Sequence, residues 1–192
     1  MNLIALVGHP AAGKTTLARK LADEFGVLSI SGSNILLDSL ETLPEDQRPL
    51  LDSRSAFSAY HMIWRKRHGL SAMGDYVVKA GKRAAPQIVC FENLRNRFDA
   101  DRIKQYGGVV ASLQCSVEER FRRAMLASRP KDPKSIQAFI RVEQAEYNSP
   151  SPYGSQVVEI MAESQIKLDA SRPIDAIVCE LRMLLPAFGI KL

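Results

Sequence analysis

Cysteine is scarce in this sequence: Cys90, Cys115 and Cys179 are three in number, far apart and without a C-x-x-C spacing. That excludes a disulfide scaffold and a thiolate zinc site, and leaves Cys90 and Cys115, both in apolar runs, to be read as buried reduced thiols. Histidine is equally sparse, and His9, His61 and His68 form no ligand spacing. No apolar run approaches membrane-spanning length. The opening MNLIALV is too short for a secretory h-region and meets a polar glycine turn at once, so no leader is expected. The ten prolines and eleven glycines are scattered, and no stretch reads as a disordered tract. What remains is ordinary: 46% hydrophobic and 24% charged residues over 192 positions, enough for one domain with one substantial core. The formal charge of +5 favours anionic partners, and nucleotides satisfy it as well as nucleic acid does. A single cytoplasmic domain over residues 1–192 is expected.

Short apolar runs alternate with longer helical patterns, the signature of βαβ units and hence of an α/β fold on a parallel sheet. Five strand-like runs cover residues 3–7, 27–30, 87–91, 109–115 and 166–168. A helix follows from Gly13 with Leu17, Leu21 and Phe25 on one stripe, and a long helical stretch over residues 34–81 breaks near Pro44, Pro49 and Gly69. Ser116-Val117-Glu118-Glu119 has the form of a capping box, and Ser135 opens a helix running to about Tyr147. Arg129-Pro130-Lys131-Asp132-Pro133 breaks the helix before it and reads as a mobile basic loop. Pro173 is placed to open a C-terminal helix.

One motif decides the class. Gly8-His9-Pro10-Ala11-Ala12-Gly13-Lys14-Thr15 matches GxxxxGK[ST] in full, between an apolar run and an amphipathic helix. Glycines let such a loop curl until successive N–H groups face phosphate oxygens, and the helix opening at Gly13 adds its positive dipole end. Lys14 then reaches the β and γ phosphates, and the Thr15 hydroxyl coordinates Mg²⁺. His9 is a spacer, read as exposed loop with the γ phosphate within its reach.

The other sites rest on position. Glu92 ends the third apolar run, where an acid can hold the Mg²⁺ shell, and Arg95 follows at the sheet edge where ligands of open α/β sheets gather. An arginine there grips a phosphate bidentately; a solvated acid is the plainer alternative for Glu92. Ser33 and Asn34 follow the second run and could touch an acceptor, with a simple N-cap as the competing reading of Ser33. Arg120, Arg122, Arg123 and Arg129 cluster around the basic loop, and Arg123 and Arg129 are the two expected over the phosphates, where a mobile cation stabilises transferring charge. Tyr60, Trp64, Arg65 and Arg67 could suggest a nucleic-acid patch. Helical spacing makes the aromatics core or pocket lining instead, and no nucleic-acid fold motif supports the patch. Arg54 and Arg65 are candidates to reach the acceptor pocket.

In this order the motifs resemble the small P-loop kinases that include adenylate kinase, other nucleoside monophosphate kinases and dephospho-CoA kinase. The resemblance runs from Leu3 to about Ser171 through Glu92-Asn93-Leu94-Arg95-Asn96, Arg120-Phe121-Arg122-Arg123 and Arg129-Pro130-Lys131-Asp132. It implies a three-layer P-loop NTPase fold with a five-stranded parallel sheet in the order 2-3-1-4-5. It also implies a helical acceptor insert at residues 34–80 and a lid at 120–135. Carried over by position, Gly8, His9, Ala11, Ala12, Gly13, Lys14, Thr15 and Thr16 bind ATP. Thr15 and Glu92 serve Mg²⁺, Ser33, Asn34, Arg65 and Arg95 meet the acceptor, and Lys14, Arg123 and Arg129 are catalytic. The chain has Ser33-Asn34 where such kinases often have Gly-Asp, and Glu92 where an aspartate is usual. The expected activity is transfer of the ATP γ-phosphate to a phosphorylated small molecule, foremost a nucleoside monophosphate. Dephospho-CoA or another metabolite is the alternative acceptor, and a regulatory P-loop NTPase is the alternative of another class. No membrane or nucleic-acid partner is expected.

Overall fold

The computed structural model of the chain describes residues 1–51, 54–127 and 133–192. Arg129 and the 128–132 part of the expected lid lie outside the described residues, as does the Arg54 side chain. The five apolar runs form β1 (Asn2–Gly8), β2 (Leu28–Ser31), β3 (Ile88–Glu92), β4 (Val109–Gln114) and β5 (Ile166–Asp169). They make one sheet in the order β2-β3-β1-β4-β5, and every neighbouring pair is parallel. This is the order that the motifs implied.

A parallel sheet is covered on both faces, so its strands must be apolar on both sides. Along β1 the pleat sends Ile4 and Leu6 to one core and Leu3, Ala5 and Val7 to the other. The first core is closed by α1 (Lys14–Phe25) and α9 (Ile174–Leu184) through Leu17, Leu21, Ile177 and Leu181. The second takes α2 (Gly32–Glu41), α3 (Arg54–His68), α4 (Ala72–Ala84), α5 (Arg97–Gln105) and α8 (Val157–Ala162), through residues such as Ile35, Trp64, Val77, Ile103 and Ile160. Two further helices, α6 (Val117–Ala127) and α7 (Ile136–Tyr147), lie on either side of residues 128–132 in sequence. Among the described residues no helix is long and apolar enough to cross a membrane.

Local signals explain most boundaries. Gly26 ends α1 at φ 63°, a left-handed value that glycine adopts without a Cβ penalty. The Ser116 hydroxyl accepts the Glu119 N–H at 3.3 Å, half of the expected capping box. The Glu119 carboxylate turns away to Arg122 and Arg123 and does not close the other half. Pro173 sits one position before α9, as its N-cap rather than inside the first turn. Helix α8 was not anticipated, since six residues carry too little periodicity to register. Cys90 is buried, Cys115 is half-buried rather than enclosed, and Cys179 is exposed on α9.

One buried ion pair ties the helical insert to the sheet layer. Arg65 of α3 and Asp99 of α5 are 1% and 0% exposed and in direct contact. Arg65 also donates to the Leu70 carbonyl at 2.7 Å, and Asp99 accepts the Gly74 N–H at 2.9 Å. Removing one partner strands the other charge away from water. Asp99→Ala is therefore expected to lower unfolding stability by about 3–5 kcal/mol in urea titrations, and an unchanged midpoint would show the pair to be dispensable.

Candidate active site

The site begins where β1 runs out. A Cβ on Gly8 would lie 2.9 Å from the Leu113 carbonyl, so only glycine lets the loop turn over β4 at this point. Ala11 at φ 58° and Gly13 at φ 98° complete the curl, and α1 starts at Lys14. Pro10 to Thr16 line a cleft of about 730 Å³. Gly8 and His9 do not line it. Gly8 packs beneath the loop against Leu113, and the Ala12 N–H is turned to the His9 carbonyl at 3.3 Å. Thr15 and Thr16 are exposed on the first turn of α1.

Lys14 folds back over its own loop, donating to the Gly8 carbonyl at 2.7 Å and the His9 carbonyl at 2.9 Å. Burial lowers its pKa from the ordinary lysine range to about 7, and the positive charges of Arg95 and Arg120 push in the same direction. A cation held this way favours whatever anion enters the cleft.

The opposite wall comes from the ends of β2 and β3. Glu92 accepts the Ser29 hydroxyl at 2.9 Å and lines the cleft with Thr15. Asn93 at φ 66° reverses the chain and carries Arg95 into the same cleft. Arg95 reaches Asn93 Oδ1 at 3.3 Å and lies 5.3 Å over the Tyr147 ring. Asn96 fixes the turn: it is fully buried, caps α5 through the Phe98 N–H, and donates to the Pro152 and Gly154 carbonyls at 2.8 Å.

Several expected residues lie elsewhere. Ser33 lines the cleft but sits inside the first turn of α2, so it is not the N-cap; Ser31 holds that position. Asn34 is exposed on α2 and does not line the cleft. The terminal nitrogens of Arg65 are engaged by Asp99 and the Leu70 carbonyl, so they anchor α3 and are not offered to an acceptor phosphate. Arg123 does line the cleft, braced by Glu119 and the Ala170 carbonyl, both at 2.8 Å. Arg120 is not a solvated face: it is 6% exposed, bound to Glu143 and the Cys115 carbonyl. Tyr60 and Trp64 are buried core, which removes the aromatic half of any nucleic-acid patch on α3.

His9 is the largest departure. Its Nδ1 meets the Glu143 carboxylate, which Arg120 also holds at 2.7 and 2.8 Å, and its ring stands edge-on to Tyr147 at 6.0 Å. The spacer read as exposed loop is thus pinned from α7. Glu143 and Tyr147 were missed, although Phe139, Glu143 and Tyr147 recur every four residues as the buried stripe of α7. An acid inside an apolar stripe was the available signal.

A family model described as an AAA domain matches residues 4–149. The chain belongs to the AAA domain family. No curated protein matches it. Among solved structures it is similar to a shikimate kinase from Aquifex aeolicus vf5, at TM-score 0.57 and 12% identity over 97% of this chain and 98% of that one. A gluconokinase from Sinorhizobium meliloti 1021 gives 0.53 and 16% over 98% and 96%, and a sugar kinase from Janibacter sp. HTCC2649 gives 0.50 and 17% over 100% and 98%. At these identities the likeness is one of fold: this AAA domain has the P-loop kinase fold.

Two measurements follow from the geometry of this domain. With a pKa near 7, Lys14 is largely neutral at about pH 8 before ligand arrives, and a polyphosphate anion restores its charge. Nucleoside triphosphate binding is expected to take up close to one proton there. Affinity should weaken by up to about tenfold per unit as pH rises from about 7.5 to about 9. Titration calorimetry in buffers of different ionisation heat reads this, and a pH-independent affinity over that range would contradict it. Separately, Glu143→Ala releases the side chain of His9, whose carbonyl holds Lys14. It is expected to cut turnover about tenfold or more with a smaller change in nucleotide affinity, and Glu143→Gln is expected to recover part of the loss.

Proposed function

We propose that the protein transfers the γ-phosphate of ATP to a small molecule that already carries a phosphate, most readily a nucleoside monophosphate. The observation behind this is that Arg95 and Lys14 line one cleft, close enough for the charge of Arg95 to depress the Lys14 pKa. Among the described residues no carboxylate pairs with Arg95. Two cations lining one cleft favour anionic groups on both reacting molecules.

In this reading the loop from Ala11 to Thr16 holds the triphosphate, with Lys14 exchanging its carbonyl partners for phosphate oxygens. Arg123 approaches the phosphates from α6, and Arg95 offers its planar fork to the acceptor phosphate. The Thr15 hydroxyl and the Glu92 carboxylate line the same cleft, and among the described residues no group of three or more acidic, histidine or cysteine residues is placed to hold a metal ion by itself. That sparse oxygen set fits Mg²⁺, which keeps most of its waters and takes the rest of its shell from phosphates. When bound, the ion would neutralise charge on the transferring group. An ionised phosphate acceptor is already a nucleophile and requires no base. The protein's task is then to align two anions, suppress their repulsion and exclude water.

A second reading draws on the named structures, which are kinases of shikimate, gluconate and sugars. A hydroxyl acceptor bearing a carboxylate would also suit Arg95, with Glu92 accepting the hydroxyl proton. ATP consumption against a panel separates the two: nucleoside monophosphates, dephospho-CoA, then hydroxy acids and sugars. The phosphorylated class is expected to be used. Arg95→Lys should raise the acceptor KM, for a loss of roughly ten- to a hundredfold in kcat/KM, while the ATP KM holds. Efficient use of an unphosphorylated acceptor, with Arg95 replaceable at no cost, would overturn the proposal.

A further inference from the structure

Behind Arg95 lies a second, much smaller pocket between α2, α3 and the end of β3. Ser33, Phe57, Asn93 and Arg95 line both it and the main cleft, so the two spaces share a wall. Its floor includes His61, Arg65 and Met73. Two side-chain nitrogens on that floor are buried without a hydrogen-bond partner: His61 Nε2 and Arg65 Nε. Such atoms cost stability, and proteins tolerate them chiefly where something else completes the bond.

The chemistry of the two atoms narrows what can complete it. Arg65 Nε is always a donor. His61 is neutral, because burial and then the charges of Arg65 and Arg95 hold its pKa well below the ordinary histidine range, and we assign its one ring hydrogen to Nε2, which makes it a second donor. Two donors call for one accepting oxygen. The charge of Arg65 is already matched by Asp99, so the His61–Arg65 end of the pocket does not ask for a full anion. The free space is about 10 Å³, room for one water-sized atom and not for a ring or a phosphate.

We infer that this pocket receives one carbonyl oxygen of the acceptor molecule, held between His61 Nε2 and Arg65 Nε while the acceptor phosphate lies on Arg95. The inference rests on the kinase reading above and makes it more specific. The carbonyl belongs to an oxo-substituted nucleobase, and an amino group in its place would set donor against donor. The acceptor class is therefore a phosphorylated molecule with a carbonyl at a fixed distance from its phosphate.

The test compares acceptors that differ by the carbonyl. Inosine 5′-monophosphate is set against purine riboside 5′-monophosphate, and uridine 5′-monophosphate against cytidine 5′-monophosphate. kcat/KM and the Tm shift without ATP are read for the wild type and for His61→Phe, which keeps a ring of similar shape. In one of the two arms the carbonyl compound is expected to win by about ten- to a hundredfold, and His61→Phe should bring that ratio close to one. If phosphorylated acceptors are consumed but neither arm shows a preference, the carbonyl subsite is refuted and the kinase reading stands. A preference that survives His61→Phe also refutes it. If no phosphorylated acceptor is consumed or shifts Tm, the kinase reading fails and the subsite with it.

Discussion

Everything in this molecule hangs on the parallel alignment of five strands with β1 at the centre. Parallel pairing sends all carboxyl ends to one edge, so the turns after β1, β2 and β3 meet there although they are far apart in sequence. The glycine loop, the β2–α2 junction at Ser31–Ser33 and the Glu92–Arg95 turn are brought together by sheet geometry. The Leu94 N–H donates to the Leu6 carbonyl at 3.0 Å and the Gln156 N–H to the Arg95 carbonyl at 2.8 Å. Backbone bonding thus fixes the turn that presents Arg95, and its side chain does not need to spend contacts on holding itself in place.

The cleft that results is electrically incomplete. Lys14 turns to carbonyl oxygens and gives up part of its proton affinity, while Arg95 lies over an aromatic ring. Elsewhere the same fold pairs its buried charges fully: Arg65 with Asp99, Arg120 with Glu143. The contrast separates charge used for construction from charge left facing a space, and it identifies the cleft by physics rather than by motif.

The strands, their order and the loop were legible because apolar run length, the glycine pattern and the resemblance all pointed the same way. Lys14, Glu92, Arg95 and Arg123 all line the cleft; the first three lie at a helix start or close to a strand end, and Arg123 is carried in by the middle of α6. Arg65 and His9 were not legible. Nothing in α3 alone reveals that Asp99, 34 positions away, would take the Arg65 guanidinium. Likewise His9 owes its position to Glu143, which a local reading of a loop spacer cannot see. Pairings between distant elements are set by how helices dock, and helix docking is encoded in surface shape rather than in sequence period.

The three cysteines give this fold a built-in reporter. Cys179 lies exposed on α9, whereas Cys90 is sealed in the middle of β3, where burial pushes its thiol pKa far above the usual range. Thiolate is the reactive form, so an alkylating reagent meets the two residues on very different terms. Cys179 reacts with the folded protein, while Cys90 reacts only in molecules that have opened the sheet. The rate at which Cys90, rather than the half-buried Cys115, becomes available is then a clock of global opening, and any ligand that settles in the cleft slows that clock in proportion to how tightly it holds the closed sheet.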